Sequence, residues 1–136
     1  MSAYHSLKTE FKDKDCLIAA LNDMGYTEVE DHEIAQNLYG YHGDMRSDKA
    51  NIIVRRRYIG SAANDLGFIR NQDGSYSSIV SEYDSGKHNT TWFAGLKAKY
   101  SERGALKVAA KNGFKYLGKS VVNGKIQMKW LDPRTV

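Results

Sequence analysis

A single cysteine, Cys16, and a single proline, Pro133, stand among the 136 residues. One thiol rules out an intrachain disulfide, so the fold must rest on packing, and a reducing, cytoplasmic setting is expected. So little proline, beside 41% hydrophobic residues, argues against a disordered chain. No apolar run reaches the ~20 residues of a membrane span. MSAYHSLKTEFKD has no hydrophobic signal core, so neither secretion nor a membrane is expected. The four histidines, His5, His32, His42 and His88, fall at no ligand spacing, which leaves no case for zinc. Three motifs are also missing: both glycine-rich phosphate loops and the G-x-S-x-G elbow. The expectation is therefore no cofactor, no metal and no catalytic constellation.

Charge is plentiful and unevenly placed. Residues 1–86 carry nine Lys/Arg against fourteen Asp/Glu, whereas residues 87–129 carry ten against one, Glu102. Such polarity between halves suits an anion-binding face, an acidic protein partner, a head-to-tail oligomer, or two halves that attract each other.

Alternation and helical periodicity set the expected elements. AYHSLKTEF (3–11) alternates as a strand. DKDCLIAALNDM (13–24) has a helical stripe of Leu17, Ala20, Leu21 and Met24, with Asp13 as N-cap and Gly25 as the stop. TEVEDHEI (27–34) reads as an acidic edge strand and NLYGYHGDMRSD (37–48) as a loop. ANIIVRRRYI (50–59) reads as a strand with Ile52 and Val54 on one face and Ile53 on the other. DLGFIR and SYSSIVSEY form a hairpin around Asp73-Gly74. DSGKHNT (84–90) reads as a linker. Residues 91–112 form a long helix with Phe93, Leu96, Tyr100, Gly104 and Val108 along one face.

One domain over 1–136 is expected, of class α+β: a mostly antiparallel sheet with two helices on one face. The shared helix–Gly–aromatic–strand pattern of 19–29 and 108–117 leaves open a reading as two strand–helix–strand–strand halves.

The last element, FKYLGKSVVNGKIQMKW, is a hairpin around Asn123-Gly124. A two-residue turn pairs Val122 with Lys125; a three-residue turn pairs Val121 with Lys125. The second is preferred, because it puts Phe114, Tyr116, Gly118 and Ser120 with Ile126, Met128 and Trp130. Lys115, Lys119, Lys125 and Lys129 then collect opposite, away from the helix. On the helix, Lys99, Arg103, Lys107 and Lys111 step by four and share a face. These eight residues are the candidate binding set.

Other candidates are weaker. His42 and Asp44 in GYHGD have the chemistry of a base and its orienter, but a glycine-rich surface loop explains them as well. RRRY (55–58), read as a strand, puts Arg55 and Arg57 on one face. Its arginines suit phosphate, yet the acidic segment 28–33 offers them internal partners. Cys16 reads as a core thiol and His5 as a partly buried histidine.

The order of MSAYHSLKTEFKDKDCLIAALNDMGY, GYHG, ANIIV, DLGF, GSYSSIVSEYD, KYS, KNGFKYL and NGKIQMKW resembles the hypothetical chloroplast reading frame thirty-five family, over roughly residues 1–130. That family occurs in plastids, cyanobacteria and phages. The resemblance implies a compact α+β domain with no settled catalytic residues. It also implies an accessory role beside an AAA-type ATPase, in the plastid stroma or an infected bacterial cytoplasm. Two departures stand out. Ala3 replaces the family's usual histidine, and DSGKHNTTW replaces its Trp-containing segment; with the divergent stretch 55–64, this suggests a phage member. The combined expectation is a non-enzymatic accessory or regulatory protein with a protein partner or homo-oligomer. Nucleic-acid binding through the basic set is the alternative. An enzyme is the third option, requiring His42 and Asp44 to share a pocket with an arginine of 55–57.

Overall fold

The computed structural model describes residues 3–132. Two compact units part between Tyr100 and Ser101. The first is built on a five-stranded sheet in the order β1-β5-β4-β3-β2, antiparallel throughout. Its strands are β1 (Tyr4–Lys8), β2 (Glu30–Tyr39), β3 (Met45–Val54), β4 (Leu66–Arg70) and β5 (Tyr76–Ser81). Helix α1 (Lys14–Asp23) follows β1, and α2 (Thr90–Lys111) follows β5. The chain is thus an α+β protein, as its patterning implied.

The strand faces divide the core in two. Ile52, Val54, Leu66, Phe68 and Tyr76 meet Leu17, Ala20 and Leu21 of α1 and Leu96 of α2 in the larger cluster. Ile53, one residue out of phase, joins Leu38, Ala50 and Ile79 on the other face. Over residues 52–54 this is the expected period-two alternation, which does not extend to Ala50. Each Leu or Ile fully buried there contributes about 1.5–3 kcal/mol.

Local chemistry accounts for the ends of α1. The Asp13 carboxylate accepts from the Cys16 N–H, satisfying an orphan donor of the first turn. Gly25, at φ 102°, turns the chain away after the last turn. Cys16 is buried, as expected of a core thiol.

Several sequence expectations need correction. Residues 37–48 are not one loop: β2 runs to Tyr39 and β3 starts at Met45. The polarity that suggested a loop belongs to the wet positions of a strand at the sheet edge, while Leu38 is fully buried. β2 is also broken by two register shifts, which discourage edge pairing with another chain. β3 stops at Val54, and Arg56–Tyr58 form a single 3-10 turn instead of continuing the strand. The Arg56 N–H is taken by the Asp65 carboxylate, which draws the chain off the sheet. His5 is exposed, 3.8 Å from Glu82, because β1 is the other edge strand. Residues 84–90 are no mere linker, since Asp84 and His88 are both buried.

The second unit holds the end of α2 and a two-stranded sheet of β6 (Lys115–Val122) and β7 (Lys125–Leu131). Here the expected register is overturned: Val122 pairs with Lys125. Asn123 at φ 51° and Gly124 at φ 75° both adopt the left-handed conformation that a two-residue type I′ turn demands. The apolar segregation that favoured the longer turn is recovered only beyond Gly118, at Tyr116. A bulge between Tyr116 and Gly118 inserts Leu117, with Gly118 at φ 121°. Tyr116 therefore still faces Trp130, with ring centroids 5.0 Å apart.

Candidate functional site

The register redistributes the basic set. Lys115, Lys125 and Lys129 lie on one hairpin face, with Val122 and Leu131 as their cross-strand neighbours and Ser120 and Gln127 between them. Lys119 does not join them. It shares the Met128 face and reaches Glu102 of α2, its Nζ 3.1 and 3.2 Å from the two carboxylate oxygens. The expectation that all four hairpin lysines point away from the helix fails at this residue, because the shorter turn shifts β6 by one position. On α2, Arg103, Lys107 and Lys111 are exposed, while Lys99, which belongs to the first unit, is half-buried. The aromatics Tyr116 and Trp130 are on the face opposite Lys115, Lys125 and Lys129.

The arginines of 55–57 separate in role. Arg55 grips Glu30 bidentately, Nε to Oε2 at 2.8 Å and Nη2 to Oε1 at 2.9 Å, and donates from Nη1 to Asp65 Oδ2 at 2.8 Å. This internal pairing with the acidic segment was expected. Arg56 donates to the carbonyls of Ala63 and Ser61, and Arg57 lies over the Tyr58 ring. Asp65 is fully buried; beyond Arg55 it accepts the backbone N–H of Tyr39 and of Arg56, both at 2.7 Å. The two hydrogen bonds from Arg55, followed by that from His32, hold the Glu30 carboxyl below its usual range against the opposing effect of burial.

A cleft of about 300 Å³ opens beside this cluster, lined by Tyr39, Gly43 and Arg57 among others. Neither His42 nor Asp44 lines it. His42 packs at a tilt against Tyr41, ring centroids 3.8 Å apart, and Asp44 sits 4.0 Å from Arg46. Gly43 therefore lines the cleft with the arginines of 55–57, whereas His42 and Asp44 do not. Among the described residues, no group of three or more His, Cys, Asp or Glu is placed to hold a metal ion. None of the helices described is long and apolar enough to cross a membrane.

A larger cleft, about 520 Å³, lies where β1 and β5 run past the start of α2. Leu7, Val80, Phe93 and Ala94 supply apolar wall; Ser78, Ser85, His88, Asn89 and Thr90 supply polar groups. His5 and Lys97 also line it. The space has a local cause. Ser78 stands between Leu7 and Phe68 in the ladder, at a helix-side position where its neighbours carry large apolar side chains.

His88 is 4% exposed. Its Nε2 lies 2.8 Å from the Tyr26 hydroxyl, and its ring packs edge-on to Trp92 at 4.6 Å. Its Nδ1 is buried with no hydrogen-bond partner. Burial lowers its pKa to about 4, the nearby Asp84 opposing the shift and Lys87 adding to it. The unfolded chain takes up this proton near pH 6.5, whereas the folded chain takes it up only near 4. The contribution of His88 to stability is therefore full above pH 6.5 and declines as pH falls from there toward 4. Denaturant titrations at pH 7.5 and 4.5 are expected to differ by about 2 kcal/mol from this residue. His88→Asn should flatten that difference.

Three of these residues were not singled out from the sequence: Asp65, Asp84 and His88. Asp84 Oδ2 accepts from the Asn64 backbone N–H at 2.9 Å and from Ser81 Oγ at 2.8 Å. Polar letters beside Gly and Ser read as solvent-exposed loop, and nothing local signals that partners distant in sequence will bury them.

No curated protein matches the chain, and no solved structure does. One family model, described as Protein of unknown function (DUF1257), matches residues 20–128. That span includes the end of α1, all of α2, the Arg55–Asp65 cluster, His88 and nearly all of the terminal hairpin, and so the chain belongs to this family.

Proposed function

We propose that the protein is a non-enzymatic accessory or regulatory subunit that docks an acidic surface of a protein partner, or of a second copy of itself, on the lysine face of its terminal hairpin. The observation that supports this reading is the composition of that face. Lys115, Lys125 and Lys129 alternate with Val122, Leu131, Ser120 and Gln127. Val122 and Leu131 are 43% and 37% exposed, an aliphatic complement to the charges. Protein interfaces combine apolar contact with charge complementarity in this way. A single-stranded nucleic-acid site would place stacking aromatics among its lysines, and here the aromatics occupy the other face. The finer kinship with the hypothetical chloroplast reading frame thirty-five family belongs to this proposal, as do an AAA-type ATPase partner and a plastid or phage-infected bacterial cytoplasm.

The test is a triple reversal, Lys115→Glu/Lys125→Glu/Lys129→Glu, compared with the parent by affinity capture and by light-scattering mass. The parent should self-associate or retain a specific partner, and the variant should lose it. A monomer that retains nothing overturns the reading. Oligonucleotide binding that weakens steeply between two salt concentrations, followed by fluorescence anisotropy, would put nucleic acid in its place.

A further inference from the structure

We infer that the open edge of β1 pairs with β1 of a second copy, antiparallel about a two-fold axis at Ser6, so that two five-stranded sheets join into one. The residues involved all belong to the first unit, and the inference does not rest on the hairpin face.

The ladder shows which backbone groups are on offer. In an antiparallel pair, residues that bond the neighbouring strand alternate with residues that do not. The Glu82 N–H donates to the Ala3 carbonyl at 2.7 Å, and the Thr9 N–H donates to the Tyr76 carbonyl at 2.9 Å. By the register between those two points, Ala3, His5, Leu7 and Thr9 turn their backbone groups toward β5. Tyr4, Ser6 and Lys8 turn theirs the other way, and among the described residues no further strand lies there. N–H and C=O groups at alternate residues are what another extended backbone satisfies. The two edges of the sheet differ in this respect. β2 is acidic and broken by two register shifts, whereas the β1–β5 ladder runs without a break. Lys8, the charge that would repel an incoming strand, is tied to Asp73 at 2.7 Å.

The sequence of β1 makes a second copy the fitting occupant. A two-fold axis in the plane of the edge gives an isologous, antiparallel pair. With the axis at Ser6, all three outward residues engage: Tyr4 meets Lys8 of the second copy, Ser6 meets its counterpart, and Lys8 meets Tyr4. An axis at His5 or at Leu7 engages only two of them, and the first also sets imidazole against imidazole. At the Ser6 axis no charge faces its like, because Lys8 faces Tyr4 and His5 faces Leu7. The His5–Leu7 pairs are of the closely spaced kind. Both side chains lie on the helix side of the sheet, where they line the larger cleft. Leu7 is 67% exposed in the single chain, and this pairing brings it against His5 and within diagonal reach of the second Leu7.

Ser6→Cys reads the register directly. Counterparts in a bonded pair have Cα atoms ~5.5 Å apart, within disulfide reach. Under mild oxidation the full chain carrying Ser6→Cys should be captured as a covalent dimer, ahead of His5→Cys and Leu7→Cys, whose counterparts lie farther off. The parent, its Cys16 buried, should not be captured. Ser6→Pro removes one outward N–H and none that bonds β5. The far-ultraviolet spectrum should persist while the dimer Kd, followed by light scattering, rises at least about tenfold. Adding Lys115→Glu/Lys125→Glu/Lys129→Glu should leave the Ser6→Cys capture unchanged, which separates this edge from the hairpin face. The inference is overturned by a parent that stays monomeric up to about 1 mM, by preferential capture through His5→Cys or Leu7→Cys, or by a dimer that tolerates Ser6→Pro. A monomer whose Tyr4, Ser6 and Lys8 amide resonances move only with an unrelated extended peptide, Lys-Val-Thr-Val-Thr-Lys, would give the edge to a foreign strand and overturn it as well.

Discussion

Asp65→Asn is expected to lower the unfolding free energy by about 3–5 kcal/mol, the scale of breaking a buried charge pair. The change removes one atom's charge and almost no volume, so hydrogen bonding and charge decide the outcome. Asp65 presents two acceptor oxygens to three donors: Oδ2 to the Tyr39 N–H and Arg55 Nη1, Oδ1 to the Arg56 N–H. An asparagine amide must turn its NH2 toward one of these sets. Either orientation sets donor against donor in a site closed to water, and Arg55 loses one of its charged partners, keeping Glu30 and the Asn37 carbonyl. Glu30→Gln provides the contrast. Its side chain is 37% exposed, so solvent compensates and the loss should stay near about 1 kcal/mol. Urea titration reads both as a shift in midpoint at constant slope. If Asp65→Asn cost no more than Glu30→Gln, the cluster would not be what ends β3 and anchors Tyr39.

The second large effect is steric. Gly67 sits in β4 between Ile53 and Ile79, facing the smaller core cluster. A Cβ placed there would lie 2.6 Å from the Ala50 Cβ and 3.1 Å from both Leu38 methyls. Leu38 is able to yield by rotamer change, but the Ala50 Cβ is fixed to its strand. Gly67→Ala should therefore destabilise by about 1–3 kcal/mol, and Gly67→Val by about 3 kcal/mol or more. Ala50→Gly removes the obstructing carbon. In the Gly67→Ala/Ala50→Gly double variant a coupling of about 1–2 kcal/mol is expected, since the two sites touch. Additive losses would mean that the backbone, not the facing Cβ, sets the need for glycine.

The elements read most faithfully from the sequence carried their own punctuation. The Asp13 cap and Gly25 stop frame α1, Asp73-Gly74 joins β4 to β5, and Ile52, Ile53 and Val54 alternate between two cores. The misreadings share a different cause. The hairpin register depended on weighing side-chain segregation against turn geometry. Two positive φ angles at Asn123 and Gly124 decided it, and the bulge at Leu117 restored the Tyr116–Trp130 contact. Segregation alone had no means of anticipating a bulge. β3 was read too long because Arg55, Arg56 and Arg57 continue a strand as letters, while the carboxylate that ends it lies nine residues beyond Arg56.

The candidate sites divide along the same line. The lysines at 115, 125 and 129 were legible because a charge on a strand needs only alternation to reach solvent. Lys119 was not, since its destination is Glu102 on another element. Nor was the cleft. Ser78, Ala94 and His88 are unremarkable in a linear reading, and their significance arises when β1, β5 and α2 surround one space. Periodicity and capping act within a few residues, so the α+β class, both helices and the basic half followed from the chain as written. The buried Asp65, the unpaired Nδ1 of His88 and the cleft beside it arise from desolvation by distant segments, and only folding brings those segments together.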